Sequence, residues 1–441
     1  MARYAVILVV LGGLVGAGCE RRARVNPLDP LNPSTGGRPQ NLVAVAEHRR
    51  VTLAWERLPV ADLSGYRLRR SEVGGDASSV LDIPVSVEYN RYVDLQVVNG
   101  KTYQYSLTAR ITSGSESRSS DPVEATPGPS SCWVIDRGAS ALFRTSADGY
   151  AIAVGVSGFL DPATVVTDPN DGGCWTSDPL NGALVRFTAD GALDVVVTGL
   201  TRPGAIDVDV RDGACWVAEG GGTIGQASDV VRVKRDGTVE FRVFAFTDPQ
   251  AVAVSPMDGS CWVADLANRQ VSNIGVNGDI RLAAGGFEAP IGVVADPADG
   301  GCWVIDRAAK QVVKLTRTGV RMTTVVGFAD PAAGSYDATS GSLWMADPGQ
   351  QAVIKLLTGI PNGYDIRQRI GFHQTITGLR TPLGVSTDAQ TGDCWVADAG
   401  NRTVLKFTAG GQLLGFLALS EGSRPVAVSV DPGTRYGSSV P

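Results

Sequence analysis

Histidine is nearly absent from this 441-residue chain, where His48 and His373 are the only two. Imidazole is the side chain that most readily changes charge near neutral pH and the commonest metal ligand, so chemistry that needs several converging imidazoles has little to draw on. Other signatures are missing as well. No Gly-x-Ser-x-Gly elbow is present for a serine hydrolase, and no Gly-Lys-Ser/Thr follows the glycine-rich Gly220–Gly225 run to cradle phosphate. No Cys-x-x-Cys pair is present for zinc or haem attachment, and no Arg-Gly-Asp tripeptide occurs. Asp168-Pro-Asn-Asp-Gly and Asp296-Pro-Ala-Asp-Gly lack the alternating acids and distal glutamate of a calcium loop, and they read as tight turns. Basic residues number 39 against 45 acidic ones, a formal net charge of −6, which removes the broad attraction that nucleic acid requires. The apolar run Ala5 to Val15 falls short of the roughly 20 residues that span a bilayer.

Glycine and proline are plentiful, at 54 and 24 residues, and the hydrophobic content is 43%. Together they predict many short strands joined by tight turns, an all-β chain long enough for more than one core. At the N-terminus, Arg3 precedes the short apolar run, and Gly16-Ala17-Gly18 leads into Cys19. This arrangement resembles the lipobox of bacterial lipoproteins. The resemblance implies a signal peptide over 1–18, lipid attachment at Cys19, and, with Glu20 next, an outer-membrane address on the periplasmic or cell-surface side. Arg21, Arg22 and Arg24 would lie near anionic head groups or form a solvated charge run. The Pro/Asn-rich stretch over 19–38 cannot bury a core and reads as an extended tether.

From 39 to 127 the pattern is period two over short segments: Val51, Leu53 and Trp55, then Tyr66 and Leu68, then Tyr103, Tyr105 and Leu107. That alternation predicts a β-sandwich. The landmarks resemble a fibronectin type III domain: Val51-Thr-Leu-Ala-Trp55, Ser64-Gly-Tyr66-Arg-Leu68, and Asn99-Gly100-Lys-Thr-Tyr103 where the family has its tyrosine corner. Trp55 and Tyr103 are expected in its core.

The remainder, 128–441, repeats the phrase Cys-Trp-Val-x-Asp. Its tryptophans are Trp133, Trp175, Trp216, Trp262, Trp303, Trp344 and Trp395, at spacings of 42, 41, 46, 41, 41 and 51 residues. A period in the forties with four strand-like segments per unit predicts a β-propeller. Copies such as Pro382-Leu-Gly-Val-Ser-Thr-Asp388, Cys394-Trp-Val-Ala-Asp398 and Asn401-Arg-Thr-Val404 resemble the NHL repeat. The first unit lacks an opening strand and the last strand, Pro425–Asp431, has no Cys-Trp behind it, so the two ends should pair. That closure gives seven blades, with six as the alternative count because Ala332–Asp337 is degenerate.

Within the phrase, Cys and Val should face one neighbouring blade and Trp the other. The six propeller cysteines occupy equivalent places in successive blades, too far apart to bridge, and are expected as buried free thiols. The acids Asp136, Asp178, Glu219, Asp265, Asp306, Asp347 and Asp398 should share one rim, where they either cap turns or attract a cation or basic partner. No catalytic residue, metal or cofactor is assigned. Propeller enzymes of the virginiamycin-lyase type resemble the region in fold but depend on histidine. The expected function is that of a lipid-anchored envelope scaffold, not an enzyme, which binds a protein, glycan or envelope partner through rim loops and no nucleic acid. Alternatives are a metal-dependent hydrolase or lactonase and a structural subunit of a surface assembly. Recognition is expected at the insertions over 219–229 and 357–381.

Overall fold

The computed structural model describes residues 26–75, 81–128, 130–220, 228–368 and 371–433, and its regular elements are all β-strands. Cys19 and the signal segment lie outside the described residues. Two kinds of packing unit follow one another. In the first, the strands Val43–Glu47, Arg50–Ala54 and Arg91–Asp94 form one sheet, and Leu81–Ser86, Leu63–Glu72, Tyr103–Ile111 and Val123–Ala125 form a second. Alternation decides what lies between them: Tyr103, Tyr105, Leu107 and Ala109 point inward with Val51, Leu53, Trp55, Tyr66 and Leu68. The rings of Trp55 and Tyr66 meet edge-on with centroids 5.3 Å apart. The Tyr103 hydroxyl accepts a hydrogen bond from the Val98 amide at 3.1 Å, fixing the turn before its own strand. Asn99 in that turn also reaches the opposite sheet, where its Oδ1 accepts from the Arg49 amide at 2.8 Å.

Seven further sheets follow, each with four strands in simple antiparallel order and, in one, a fifth. We number them by the strand carrying the tryptophan: sheet 1, Ser131–Asp136; sheet 2, Cys174–Asp178; sheet 3, Cys215–Glu219; sheet 4, Cys261–Asp265; sheet 5, Cys302–Asp306; sheet 6, Ser342–Asp347; sheet 7, Cys394–Asp398. The opening strand of sheet 1 comes from the far end of the chain. Pro425–Asp431 pairs antiparallel with Ser131–Asp136, placing Val428 opposite Val134, as the missing first strand required.

Neighbouring sheets join through the repeated phrase. Trp175 packs with Cys215 and Val217 of the next sheet, Trp216 with Cys261 and Val263, and Trp262 with Cys302 and Val304. Trp344 meets Cys394 and Val396, Trp395 meets Cys132 and Val134, and Trp133 meets Cys174. Trp303 packs against sheet 6, where Leu343 stands in place of the cysteine. It is the one repeat tryptophan that is only partly buried, the other six being fully enclosed. The innermost strands are also stitched by side chains. Ser335, Ser386 and Ser429 accept, through Oγ, the amides of Thr387, Val430 and Thr167 in the following sheet, and Asp207 accepts that of Val254.

Directly across the hairpin from each tryptophan stands a long polar side chain: Arg144, Arg186, Arg232, Asn273, Lys314, Lys355 and Lys406 from sheet 1 to sheet 7. The six cations lie 4.9 to 5.9 Å from the indole centroids, within range of the ring quadrupole. Most meet a buried aspartate at the end of the first strand, for example Arg186 with Asp168 at 3.2 Å, Lys314 with Asp296 at 2.5 Å and Lys355 with Asp337 at 3.1 Å. Sheet 4 has no such charge pair: Asn273 replaces the cation and Ser255 the aspartate.

Removing one member of such a pair leaves an uncompensated buried charge, which costs about 3–5 kcal/mol. Lys355→Met should therefore destabilise the propeller by roughly that amount in denaturant unfolding. The double change Asp337→Ser with Lys355→Asn, which reproduces sheet 4, should recover most of the loss; a double variant no better than the single one would show that the charge is not the cause.

Candidate functional site

The residues that the sequence offers for chemistry are engaged with the protein itself. Cys132, Cys174, Cys215, Cys261, Cys302 and Cys394 are all free and fully buried. Burial pushes every one of these thiols well above its ordinary range, the opposite of what a reactive thiolate needs. Four of them donate a weak S–H hydrogen bond to the carbonyl of the adjacent tryptophan.

The acids that end the phrase are buried fasteners. Asp178 accepts the amides of Leu160 and Asp161, Asp265 those of Thr247 and Asp248, Asp306 those of Glu288 and Ala289. Asp347 holds Ala329 and Asp330, Asp398 holds Arg380 and Thr381, and Asp136 takes the Arg424 amide at 2.7 Å. In each case the carboxylate pins the connection that enters the first strand of its own sheet. Asp136, Asp265, Asp347 and Asp398 also cap the turn three residues on. The capping expectation thus describes part of their role; the longer-range amides were not legible in the local pattern.

Glu219 departs from this arrangement. It holds a single loop amide, that of Thr201 at 3.0 Å, and its cross-strand partner is another acid, Asp229. Both are buried, and Arg242 donates to Glu219 Oε2 at 2.7 Å and to Asp229 Oδ2 at 2.8 Å. Burial, then the hydrogen bond and charge of Asp229, push the Glu219 carboxyl up to about 7 despite the arginine. A carboxyl of this kind can hold or release a proton near neutrality. The cluster stands at the base of the 219–229 insertion, of which 221–227 lie outside the described residues.

The 357–381 insertion does not form the rim loop that was expected. Tyr364–Asp365 pairs in parallel with Arg321–Val326 as a fifth strand on sheet 5, and His373–Ile376 becomes the outer strand of sheet 6. The insertion therefore covers an outer edge that would otherwise expose unpaired backbone groups. A strand of two residues carries no alternation for a sequence pattern to reveal. Tyr364 is fully buried, its hydroxyl 2.9 Å from His373 Nδ1 and its ring edge-on to Phe372. Burial lowers the His373 pKa. Among the described residues, no three His, Cys, Asp or Glu side chains converge in a metal-binding group.

No family model matches the chain, and no curated protein matches it by sequence. Solved structures do. A functionally unknown protein from Desulfotomaculum acetoxidans DSM 771 superposes with a TM-score of 0.57 at 12% identity, covering 68% of this chain and 98% of that one. Virginiamycin B lyase from Staphylococcus aureus gives 0.50 at 17% identity over 60% and 87% of the two chains, and a streptogramin B lyase 0.50 at 12% over 61% and 86%. The repeat region is a β-propeller. At these identities the likeness is one of fold.

Two outcomes follow from these environments. In a Cys19→Ser chain, a maleimide should label no propeller thiol in the native state and all six after denaturation. The second concerns Glu219, whose folded-state pKa is raised from an ordinary value of 4.5 to about 7. Its contribution to stability is fully present below the unfolded value and is lost as the pH rises through the folded one. The wild-type melting temperature should fall relative to that of Glu219→Gln between about pH 5 and about pH 8, and parallel curves would show that Glu219 does not titrate there.

Proposed function

We propose that this chain is a lipid-anchored envelope protein whose seven-bladed, NHL-like propeller binds a protein or glycan partner through its rim. The observation that carries the reading is the engagement of the repeated phrase: its thiols and indoles are buried between sheets and its carboxylates hold backbone amides within their own sheets. The 219–229 segment is the place where the repeat changes both its length and its chemistry. A binding role fits such a scaffold, because a rigid ring presents variable loops in fixed positions.

The N-terminal segments fit the same picture. Cys19 supplies the lipid anchor and 39–127 a fibronectin type III-like spacer, a reading supported by its sheets of three and four strands and by the Tyr103 hydroxyl that holds the Val98 amide. The extended tether expected over 19–38 can extend only to residue 25, because 26–38 folds in turns that bury Asn32 and seat Leu28 on the sandwich core. The address is the outer membrane, on its periplasmic or surface side. The lyases among the structural neighbours do not extend their reaction to this chain, whose one propeller histidine lies on an outer strand of sheet 6 beside a buried tyrosine.

The test is a photocrosslinker at Gly220, beside the insertion, compared with one at Phe244, which is 71% exposed on the outer strand of sheet 3. Intact envelopes should yield a discrete adduct from Gly220 and none from Phe244; equal adducts from both would sink the rim-binding reading. Globomycin should block maturation of the same chain and release it from the lipid-anchored fraction, and indifference to the drug would remove the anchor from the proposal.

A further inference from the structure

The sandwich rests on sheet 1 of the propeller. The Ala147 amide donates to the Ala46 carbonyl at 2.8 Å, and Asp148 accepts the Thr126 amide at 3.0 Å. Beside these contacts lies a cleft of about 880 Å³ with walls from both units, within the size range of small-molecule sites, which favour such junctions. Four guanidinium groups line it, those of Arg49, Arg50, Arg91 and Arg144, together with the carboxylates of Glu47, Asp190 and Asp431.

Arg144 is the deepest cation and is held unlike its counterparts. In sheets 2 and 3, Arg186 is engaged by Asp168, Asp171 and Asp194, and Arg232 by Asp209, Asp212 and Glu240. In sheet 1 the outer-strand acid is replaced by Ala153. Among the described residues, the acids that face Arg144 are Glu47 at 3.5 Å and Asp431 at 3.8 Å. It is 9% exposed, and its Nε, like those of Arg186 and Arg232, is buried without a hydrogen-bond partner, so the difference lies in the acids that face its terminal nitrogens. A guanidinium out of water needs a planar, bidentate acceptor to offset its desolvation, and the fold supplies less of one here than in sheets 2 and 3.

The mouth of the cleft adds a second cation. The hairpin between Val43–Glu47 and Arg50–Ala54 turns through His48 and Arg49, and Arg49 adopts φ of 51°. The chain places long polar side chains at such φ values in other turns too, at Arg269, Lys310 and Arg402, and here the turn sets an arginine at the border of the cleft. Asn99 holds the turn in place through the Arg49 amide and His48 Nδ1. Neither Arg49 nor Arg91 takes part in an ion pair among the described residues.

We propose that the cleft between the sandwich and sheet 1 binds an oxyanion, a phosphate or carboxylate carried on a sugar-sized molecule, with Arg144 as its bidentate donor and Arg49 and Arg91 at the mouth. The site lies apart from the 219–229 rim, so its failure leaves the rim-binding reading intact, and the reverse holds too.

Calorimetric titration of the mature chain with inorganic phosphate, a sugar phosphate, a uronic acid and the neutral parent sugar tests it. Phosphate and at least one sugar anion should bind at the same site, weakening as salt rises, while the neutral sugar gives no heat. The tighter of the sugar phosphate and the uronic acid identifies which oxyanion the cleft prefers. Arg144→Met, which keeps the packing on Trp133, should lower affinity at least about tenfold. Arg49→Gly with Arg91→Ala, both exposed positions, should lower it comparably without loss of folding, and Arg49→Gly should raise the melting temperature. No heat from any anion, equal binding of the neutral sugar, or unchanged affinity in the Arg49/Arg91 variant overturns the proposal, and so does unchanged affinity in a folded Arg144→Met.

Discussion

The propeller depends on one contact made seven times, an indole wedged between its own sheet and the next. Each tryptophan has a cross-strand cation or asparagine over one side and the next sheet's small apolar residues against the other. The fit constrains both neighbours. A cysteine faces the indole at six junctions, and those six tryptophans are fully enclosed; at the seventh, Leu343 takes the place of the thiol and Trp303 is partly exposed. Cysteine here behaves as a small hydrophobe whose volume suits the gap, which explains its recurrence without any redox role.

The polar groups follow from the same geometry. Each tryptophan strand ends in a carboxylate that grips backbone amides at one rim, while the first strand ends at the other rim in an aspartate that, in most sheets, meets the cation beside the indole. In sheet 4 charge and countercharge are removed together, Ser255 and Asn273 standing in their places. This is the expected behaviour of buried ion pairs, whose members are costly singly and nearly dispensable as a couple. Asp337 illustrates the balance: burial works to raise its pKa, yet hydrogen bonds from Ser340, Thr339 and Lys355 hold its carboxyl below the usual range.

The architecture was legible because the sequence returns to the same residues at each turn of the ring. Trp133 to Trp395 marked the sheets, and the orphaned first and last strands foretold the pairing of Pro425–Asp431 with Ser131–Asp136. The cation partners were also written there, unnoticed, as a lysine or arginine eleven residues after the tryptophan in five of the seven sheets, and displaced in sheet 3 by its longer loop. Other features had no local signal. The strand at Tyr364–Asp365 is defined by the open edge of Arg321–Val326, and the Glu219–Asp229 pair by the register across a hairpin. The cleft arises only when two separately legible units meet.

That meeting place bears on the stability of the whole ring. Sheet 1 is the one sheet whose strands come from both ends of the propeller, so it is held by hydrogen bonds and packing without the covalent hairpin that joins first and second strands elsewhere. Loss of Pro425–Asp431 would bare the edge of Ser131–Asp136, an open template for unwanted pairing. The sandwich braces this same sheet through Ala46, Thr126 and Glu47. Arg144, one strand further out, touches Asp431 of the closing strand and Glu47 of the sandwich at once. Arg144 is thus the residue that links ring closure to the neighbouring sandwich.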